Sequence, residues 1–400
     1  MFRNARTYLL ALVAGGLLAA PWPAFADAFR LVPALAVSEE FNDNVFFSVA
    51  NHRSSFITTL APSLAVEERT ERLSGRVDLG VQGLLYTAGR ELDSLEQRYR
   101  GDLRYRLSPR VDLQAAAGFE RSSRPDRLVE SSGLVLTQES DRQQYSLGSD
   151  LVVTEKGTLQ LGYGYERLDY RTGSLSGVEG HSLNAGLLYD LSAVLPLLKL
   201  KTAISGATNR YATSTVESYS ATCGVQYPLH ELWGMQADVG GRLTRSSFTE
   251  QVLIPPGIPA TAERTNEDWG WVASVQLNYR AEQGGARFSL VRNVQNAVGR
   301  SGSTELTAVS GEVSRRFTHE LSGALGGGVY RNTSDANQFA SSAIDEVTLR
   351  LAPSLRYAVS PDLELAAGYE FALARNRLAG TDAERNKVYL RLSAQLPMFE

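Results

Sequence analysis

Between Tyr99 and Arg121 the residues alternate in character with a period of two. Tyr99, Gly101, Leu103, Tyr105 and Leu107 are interleaved with Arg100, Asp102, Arg104 and Arg106. After Ser108-Pro109-Arg110, the residues Val111, Leu113, Ala115, Ala117 and Phe119 are interleaved with Asp112, Gln114, Ala116, Gly118 and Glu120. Side chains of a strand point alternately to its two faces, so each half is a strand with one oily and one polar face. Pro109 sits in the short connection, where a fixed φ and a missing N–H cost least. A helix cannot keep this pattern on one face. The stretch is therefore an amphipathic antiparallel hairpin.

The pattern recurs along the chain and predicts eighteen strands between residues 30 and 397, with sixteen as the alternative. Connections after even strands are tight: Thr70-Glu71, Pro109, Lys156-Gly157, Pro196, His230-Glu231, Glu282 to Gly284, Thr318 and Ser360-Pro361-Asp362. Most connections after odd strands are longer and polar, at 42–54, 88–94, 122–138, 171–178, 249–263, 298–302, 333–342 and 376–383. The connection after residue 211 fits least well. Short turns alternating with long loops are the mark of an outer-membrane barrel, short at the periplasmic rim and long outside. An even strand number then puts both termini on the periplasmic side.

Other features agree. Arg3 and Arg6 precede an apolar run from Tyr8 to Ala20, followed by Ala24-Phe25-Ala26. That is a secretory signal peptide over 1–26 with cleavage before Asp27, leaving 27–400 as the barrel. The lone Cys223 forms no intrachain disulfide. Aromatic residues flank the apolar runs, as at Tyr99/Tyr105, Trp269/Tyr279 and Tyr369/Phe371, which suits interfacial girdles. Residues 105–120 echo 357–370, and Leu60-Ala61-Pro62-Ser63-Leu64 recurs as Leu351-Ala352-Pro353-Ser354-Leu355. Pro62 and Pro353 lack a ladder donor and predict bulges or strand ends near a rim. The final strand carries Val388, Leu390, Leu392, Ala394, Leu396 and Met398 on one face, with Phe399 out of phase. The reading is an all-β transmembrane up-and-down barrel in the outer membrane of a Gram-negative bacterium, in contact with lipid.

About eighteen strands leave a lumen wide enough for water. The early first strand predicts no N-terminal plug domain. The lumen is then open or closed by loops such as 122–138 or 249–263. The proline-rich 249–263 segment reads foremost as a solvated surface loop. Arg76, Arg98, Arg100, Arg104, Arg106, Arg350 and Arg356 fall on polar faces and are the candidate lumen-lining residues. A guanidinium row favours anionic solutes, including an anionic polysaccharide. Asp78, Asp102, Asp112 and Glu120 stand nearby, so a self-neutralising ladder is the stronger reading.

Catalytic signals are poor. His52, His181, His230 and His319 lie in or near turns without a nucleophile at readable spacing. Glu39, Glu40 and Asp43 do not follow the spacing of a Ca²⁺ loop and read as turn formers. No catalytic, cofactor or metal residue is assigned. The net charge of −4 gives no nucleic-acid signal.

Residues Glu40-Phe41-Asn42-Asp43-Asn44-Val45-Phe46, then Phe56-Ile57-Thr58-Thr59-Leu60-Ala61-Pro62-Ser63-Leu64, resemble the beta-barrel porin 2 family. Thr70-Glu71-Arg72 and the Leu107-Ser108-Pro109 turn extend the resemblance, which is sharpest over 40–64. It implies an outer-membrane exit channel for an exopolysaccharide or capsular polysaccharide. It also implies two partners: a periplasmic polysaccharide-export protein and an inner-membrane polysaccharide synthesis complex. The residues alone leave a general diffusion or small-solute uptake porin, and a loop-sealed structural or surface-interaction barrel, as alternatives. The leader assignment predicts that the mature envelope protein begins at Asp27; N-terminal sequencing that returned Met1 would refute it.

Overall fold

The computed structural model describes residues 29–129, 131–171, 177–254, 258–297, 302–340 and 342–398. The leader peptide and Phe399 lie outside them. In chain order the strands are β1 (Phe29–Asn42), β2 (Ser55–Arg69), β3 (Leu73–Tyr86), β4 (Ser94–Ser108) and β5 (Val111–Ser122). A small hairpin follows, β6 (Arg127–Leu128) and β7 (Val135–Leu136). Then come β8 (Ser140–Val152), β9 (Gly157–Tyr170), β10 (Val178–Asp190), β11 (Lys199–Arg210), β12 (Ser214–His230) and β13 (Trp233–Ile254). The chain continues through β14 (Ile258–Ala281), β15 (Gly284–Asn296), β16 (Ser303–Arg316), β17 (Leu321–Ser334), β18 (Ile344–Ser360), β19 (Leu363–Asn376) and β20 (Thr381–Gln395).

Eighteen of these strands form one sheet, each pairing antiparallel with its neighbours, and β5 pairs directly with β8. The sheet closes because β1 also pairs with β20, from Ala34↔Gln395 to Asn42↔Lys387. A bridge between Leu31 and Met398 extends the junction downward. Closure satisfies the backbone groups that an open edge would expose to hydrocarbon, where each would cost several kcal/mol.

The register sorts the faces. Val37 stands opposite Leu60, Leu79 opposite Tyr99, Tyr99 opposite Phe119, and Leu351 opposite Phe371. These residues share the outer face, which carries exposed side chains such as Leu103, Leu147, Leu183, Ile204 and Val313. Trp233 packs on Tyr279 beside the short-turn rim. Tyr145 and Tyr165 lie nearer the other rim, with His181 against Tyr165. An apolar wall between two aromatic girdles is the surface of a barrel that sits in a bilayer. With short periplasmic turns and longer extracellular loops, this is an outer-membrane barrel.

Three expectations change. The 249–263 segment is not simply a loop, because β13 and β14 run through most of it as a ladder reaching Ile254↔Ile258. Pro259 keeps its place in that ladder opposite Leu253, and Pro255 and Pro256 lie outside the described residues. Pro62 and Pro353 cause neither a bulge nor a strand end. Each keeps its place opposite Leu35 or Leu325 on one side, and on the other the ladder skips two rungs without changing register. The register shifts fall instead at short turns, at Arg106/Ser108, Pro228/His230 and Ala358/Ser360. The turn centred on Pro196 is the longer stretch 191–198, entered through Ser192 N–H donating to Asp190 Oδ1 at 2.7 Å.

The tightly packed core sits at the extracellular end. Val45, Ile57, Leu84 and Tyr86 form one cluster, and Leu168, Val178, Tyr211 and Val216 another. Below them the inner face is polar and hydrated. A charge is costly only on the lipid face. Leu351→Arg, near the middle of β18, should destabilise the barrel by about 2–4 kcal/mol, whereas Ser354→Arg on the lumen face should change it little. Urea unfolding followed by heat-modifiable gel migration checks the difference.

Candidate functional site

The connection between β5 and β8 does not stay at the rim. It leaves β5 beside β4, where Glu96 accepts hydrogen bonds from Ser122 Oγ (2.9 Å), Ser123 N (3.0 Å) and Arg124 N (3.3 Å). It then reaches the wall made by the first and last strands. Asn42 donates to Asp126 at 2.8 Å, and Arg385 donates to the same carboxylate at 2.8 Å and to the Asp126 carbonyl. Arg124 pairs with Glu40 and with Asp126. The small hairpin β6–β7 packs Leu128 and Val135 against Phe47, Ala372 and Ala383.

The far end of the loop touches β17. Asn332 Nδ2 donates to the Ser132 carbonyl at 2.7 Å. Gly133 lies against Tyr330, where a Cβ would collide with the ring, and its φ of 67° also favours glycine. β5 and β17 are eight strands apart one way round the wall and ten the other. The loop therefore crosses almost the full width of the lumen. Leu134 completes the span by packing with Ala297, Ala340 and Ile344. A strap across the lumen is one of the two options the sequence left open, and the residues are 123–139 rather than the 249–263 ribbon.

The electrostatics of the latch are those of buried ions that satisfy one another. Asp126 and Arg385 are 2% and 1% exposed. Glu370 accepts from Arg385 and from Arg350 (2.9 Å), and lies 3.1 Å from Lys387 Nζ. Arg385 also lies over the Phe47 ring at 5.0 Å. Burial by itself would raise the Asp126 pKa. The charges of Arg124, Arg385 and Lys387 together outweigh it and hold this carboxyl well below the usual range. Removing one partner from such a set leaves a buried charge uncompensated, at a cost of about 3–5 kcal/mol.

Below the strap lies a cavity of about 980 Å³, bounded by the wall from β20 through β1 and round to β11. Its charged inner residues are Arg76, Arg98, Arg100, Arg142 and Arg391 against Asp78, Glu120 and Glu166, five cations to three anions. All seven candidate arginines lie on the face opposite the exposed leucines. Arg76 pairs with Glu67 and Asp78, Arg100 with Asp102 at 2.8 Å, and Arg104 and Arg106 share Asp112 at 3.1 and 3.4 Å. Arg350 belongs to the latch through Glu370. Arg98 has only a loose contact with Glu120 at 3.8 Å, because that carboxylate is taken by Arg127 of the strap at 2.8 Å. Arg356 and Arg391 have no carboxylate within ion-pairing distance among the described residues. They flank Ala366 on neighbouring strands.

Asp126, Arg385, Glu370 and Lys387 were not singled out in the sequence. For Glu370, Arg385 and Lys387 the one trace is charge at inward positions of the last two strands; Asp126 is one more polar residue of the 122–138 loop. The Asn42-Asp43-Asn44 motif is structural. Asn44 Nδ2 donates to the Ser48 and Glu384 carbonyls, both at 2.8 Å, and Asp43 accepts from Asn386. Glu39, Glu40 and Asp43 do not converge. Glu39 accepts from Thr58 on the outer face, Glu40 meets Arg124 inside, and Asp43 holds Asn386 of β20 just beyond the last β1–β20 rung.

No family model and no curated protein matches the chain. Solved structures with a similar fold include the outer membrane protein OpdK of Pseudomonas aeruginosa, at 12% identity and a TM-score of 0.47, covering 92% of this chain and 99% of that one. Another is OccAB4 of Acinetobacter baumannii, at 10% identity and 0.46, covering 94% and 100%. The siderophore receptor PirA of Pseudomonas aeruginosa matches at 12% and 0.45, covering 92% and 80%. At this distance the likeness is one of barrel architecture and carries nothing about solutes.

Two outcomes follow from the latch. Arg385→Ala should free the strap and raise single-channel conductance in planar bilayers; an unchanged conductance from a folded barrel would remove the strap from the conduction path. A carboxylate whose folded pKa is depressed stabilises the fold above its unfolded pKa, near 4, and loses that contribution only as pH falls through the folded value. Conductance should therefore stay flat from neutral pH down to about 4, with strap release confined to stronger acid.

Proposed function

We propose that this protein is an outer-membrane channel for small hydrophilic solutes, with a preference for anions. The observation that carries the reading is the strap across the lumen, held by buried ion pairs above a hydrated chamber. A conduit for a thick polymer gains nothing from a fixed bar at its mouth. A sieve does, because the bar sets the size of what passes and the wall below sets its charge. Glu67 and Asp102 pair with Arg76 and Arg100 beside the chamber, so the charge left for a solute is that of the less committed arginines: Arg98 has only a loose contact with Glu120, and Arg356 and Arg391 have no carboxylate within ion-pairing distance among the described residues. A passing carboxylate or phosphate meets them in a narrow, poorly screened space.

A second reading remains, the exit channel for a secreted polysaccharide. It is favoured by one observation: the residues that carry the beta-barrel porin 2 resemblance, Glu40 to Phe46, include Glu40 and Asn42 of the strap latch. In that reading the strap is a gate. It would be released when a periplasmic polysaccharide-export protein, fed by an inner-membrane synthesis complex, docks at the short-turn rim. Arg76, Arg98, Arg100, Arg104, Arg106, Arg350 and Arg356 would then line the path of an anionic polymer.

The readings separate cleanly. The small-solute channel should show steady conductance in planar bilayers without any partner, and a deletion strain should keep its surface polysaccharide. A silent purified barrel together with loss of surface polymer in the deletion strain would favour the export reading. A silent barrel with normal surface polymer would leave a structural role. In the conducting case, Arg98→Glu with Arg391→Glu replaces two loosely held chamber cations by anions. The reversal potential in a salt gradient should then change sign from anion-selective to cation-selective, and no shift would take these arginines out of the selectivity filter.

A further inference from the structure

The wall is not uniformly zipped. Between β14 and β15 the ladder runs from Ala281↔Gly284 up to Ala273↔Arg292 and stops. Both strands continue. β14 stays paired with β13 up to Ile258, and β15 stays paired with β16 up to Asn296. At every other junction the ladder reaches within two residues of the upper end of at least one partner. Here β15 runs four residues beyond the last rung, about 13 Å of strand. The cause is a divergence. Tyr211 Oη donates to Asn296 Oδ1 at 3.2 Å and lies 3.0 Å from Ser303 Oγ, so the upper end of β15–β16 leans into the lumen. β14 meanwhile rises with its long hairpin.

Side chains fill the place of the missing rungs. Arg242 starts on the inner face of β13 and crosses Gly270, where any Cβ would collide with its guanidinium. It reaches Asp268 at 2.7 Å and Glu305 at 3.4 Å. Arg292 pairs with the same Glu305 from the outer face and stacks on Trp271 at 4.5 Å. Gln338 and Phe339 close the inner side, by a 3.0 Å bond to Asp268 and a ring 5.1 Å from the Arg242 guanidinium. This closure is imperfect. Arg242 is 2% exposed, yet among the described residues its Nε and Nη1 have no acceptor, nor does Arg292 Nε. On the outside, Trp269 and Trp271 are 78% and 51% exposed, at the level of the outer aromatic girdle.

We propose that this seam is a lateral port for amphipathic molecules that carry an anionic head group. The apolar chain enters from the outer leaflet beside Trp271, and the head takes the free N–H groups of Arg292 and Arg242. Those donors have no use in a sealed wall, where paired backbone or apolar contact would serve better. An anion with several acceptor oxygens satisfies them.

Cysteine labelling tests the port without reference to conductance. In a Cys223→Ser background, Asn293→Cys places a thiol on the inner face just above the last rung, and Ser289→Cys places one on the same face within the ladder, opposite Gln276. Each is reconstituted in phosphatidylcholine vesicles. Each is then treated with N-dodecylmaleimide from the bilayer and with a sulfonated maleimide from water. The ratio of lipid-phase to water-phase rates should be higher by about tenfold at Asn293→Cys. Dodecanoate should slow the lipid-phase reaction there, and dodecyltrimethylammonium should not. Equal ratios at the two positions would overturn the port, and equal protection by both amphiphiles would overturn the anionic head group. Folding of each variant is read from heat-modifiable migration.

Discussion

Every backbone donor and acceptor that meets hydrocarbon needs a partner, and this one requirement organises the molecule. It forces the last strand back onto the first and leaves only a few tolerated lapses. Pro62 and Pro353 each forgo two rungs on one side while keeping the ladder on the other. The seam above Ala273 and Arg292 forgoes more, and a charged side-chain cluster stands in for the missing bonds. The wall is thus nearly saturated, and its exceptions can be named residue by residue.

Inside the wall the requirement relaxes, and charge takes over. Water can solvate the inner face, so arginines and carboxylates alternate there at little cost. Where water is excluded, at the contact between strap and wall, the same residue types pair closely. Arg385, Asp126 and Glu370 do so within a few ångströms, with Arg385 Nε left over. The transition from hydrated ladder to dry latch happens along single strands. On β20, Arg391 faces the chamber while Arg385 is sealed.

The wall was legible because it is written with a period of two. Tyr99 to Arg121 specifies a hairpin and its faces without any knowledge of neighbours, and turn chemistry then fixes which ends are tight. Sidedness of Arg76, Arg98 and Arg104 follows from parity alone. The strap was legible only as an option. Its contacts join residues up to 259 positions apart, such as Arg385 and Asp126, and no local pattern encodes them. The 249–263 segment misled for the opposite reason. Its prolines and isoleucines look like a loop, yet β13 and β14 hold a ladder that extends as far as Ile254 and Ile258. The seam left no trace in the sequence, since it consists of rungs that local pattern would have supplied.

Asp126 is held by Asn42 from the first strand and by Arg385 from the last. These two residues come together only when β1 and β20 have met. The strap therefore has nowhere to dock while the cylinder is still an open sheet. Its seating depends on closure in the right register: a barrel closed in the wrong one would present the buried carboxylate with the wrong pair of neighbours.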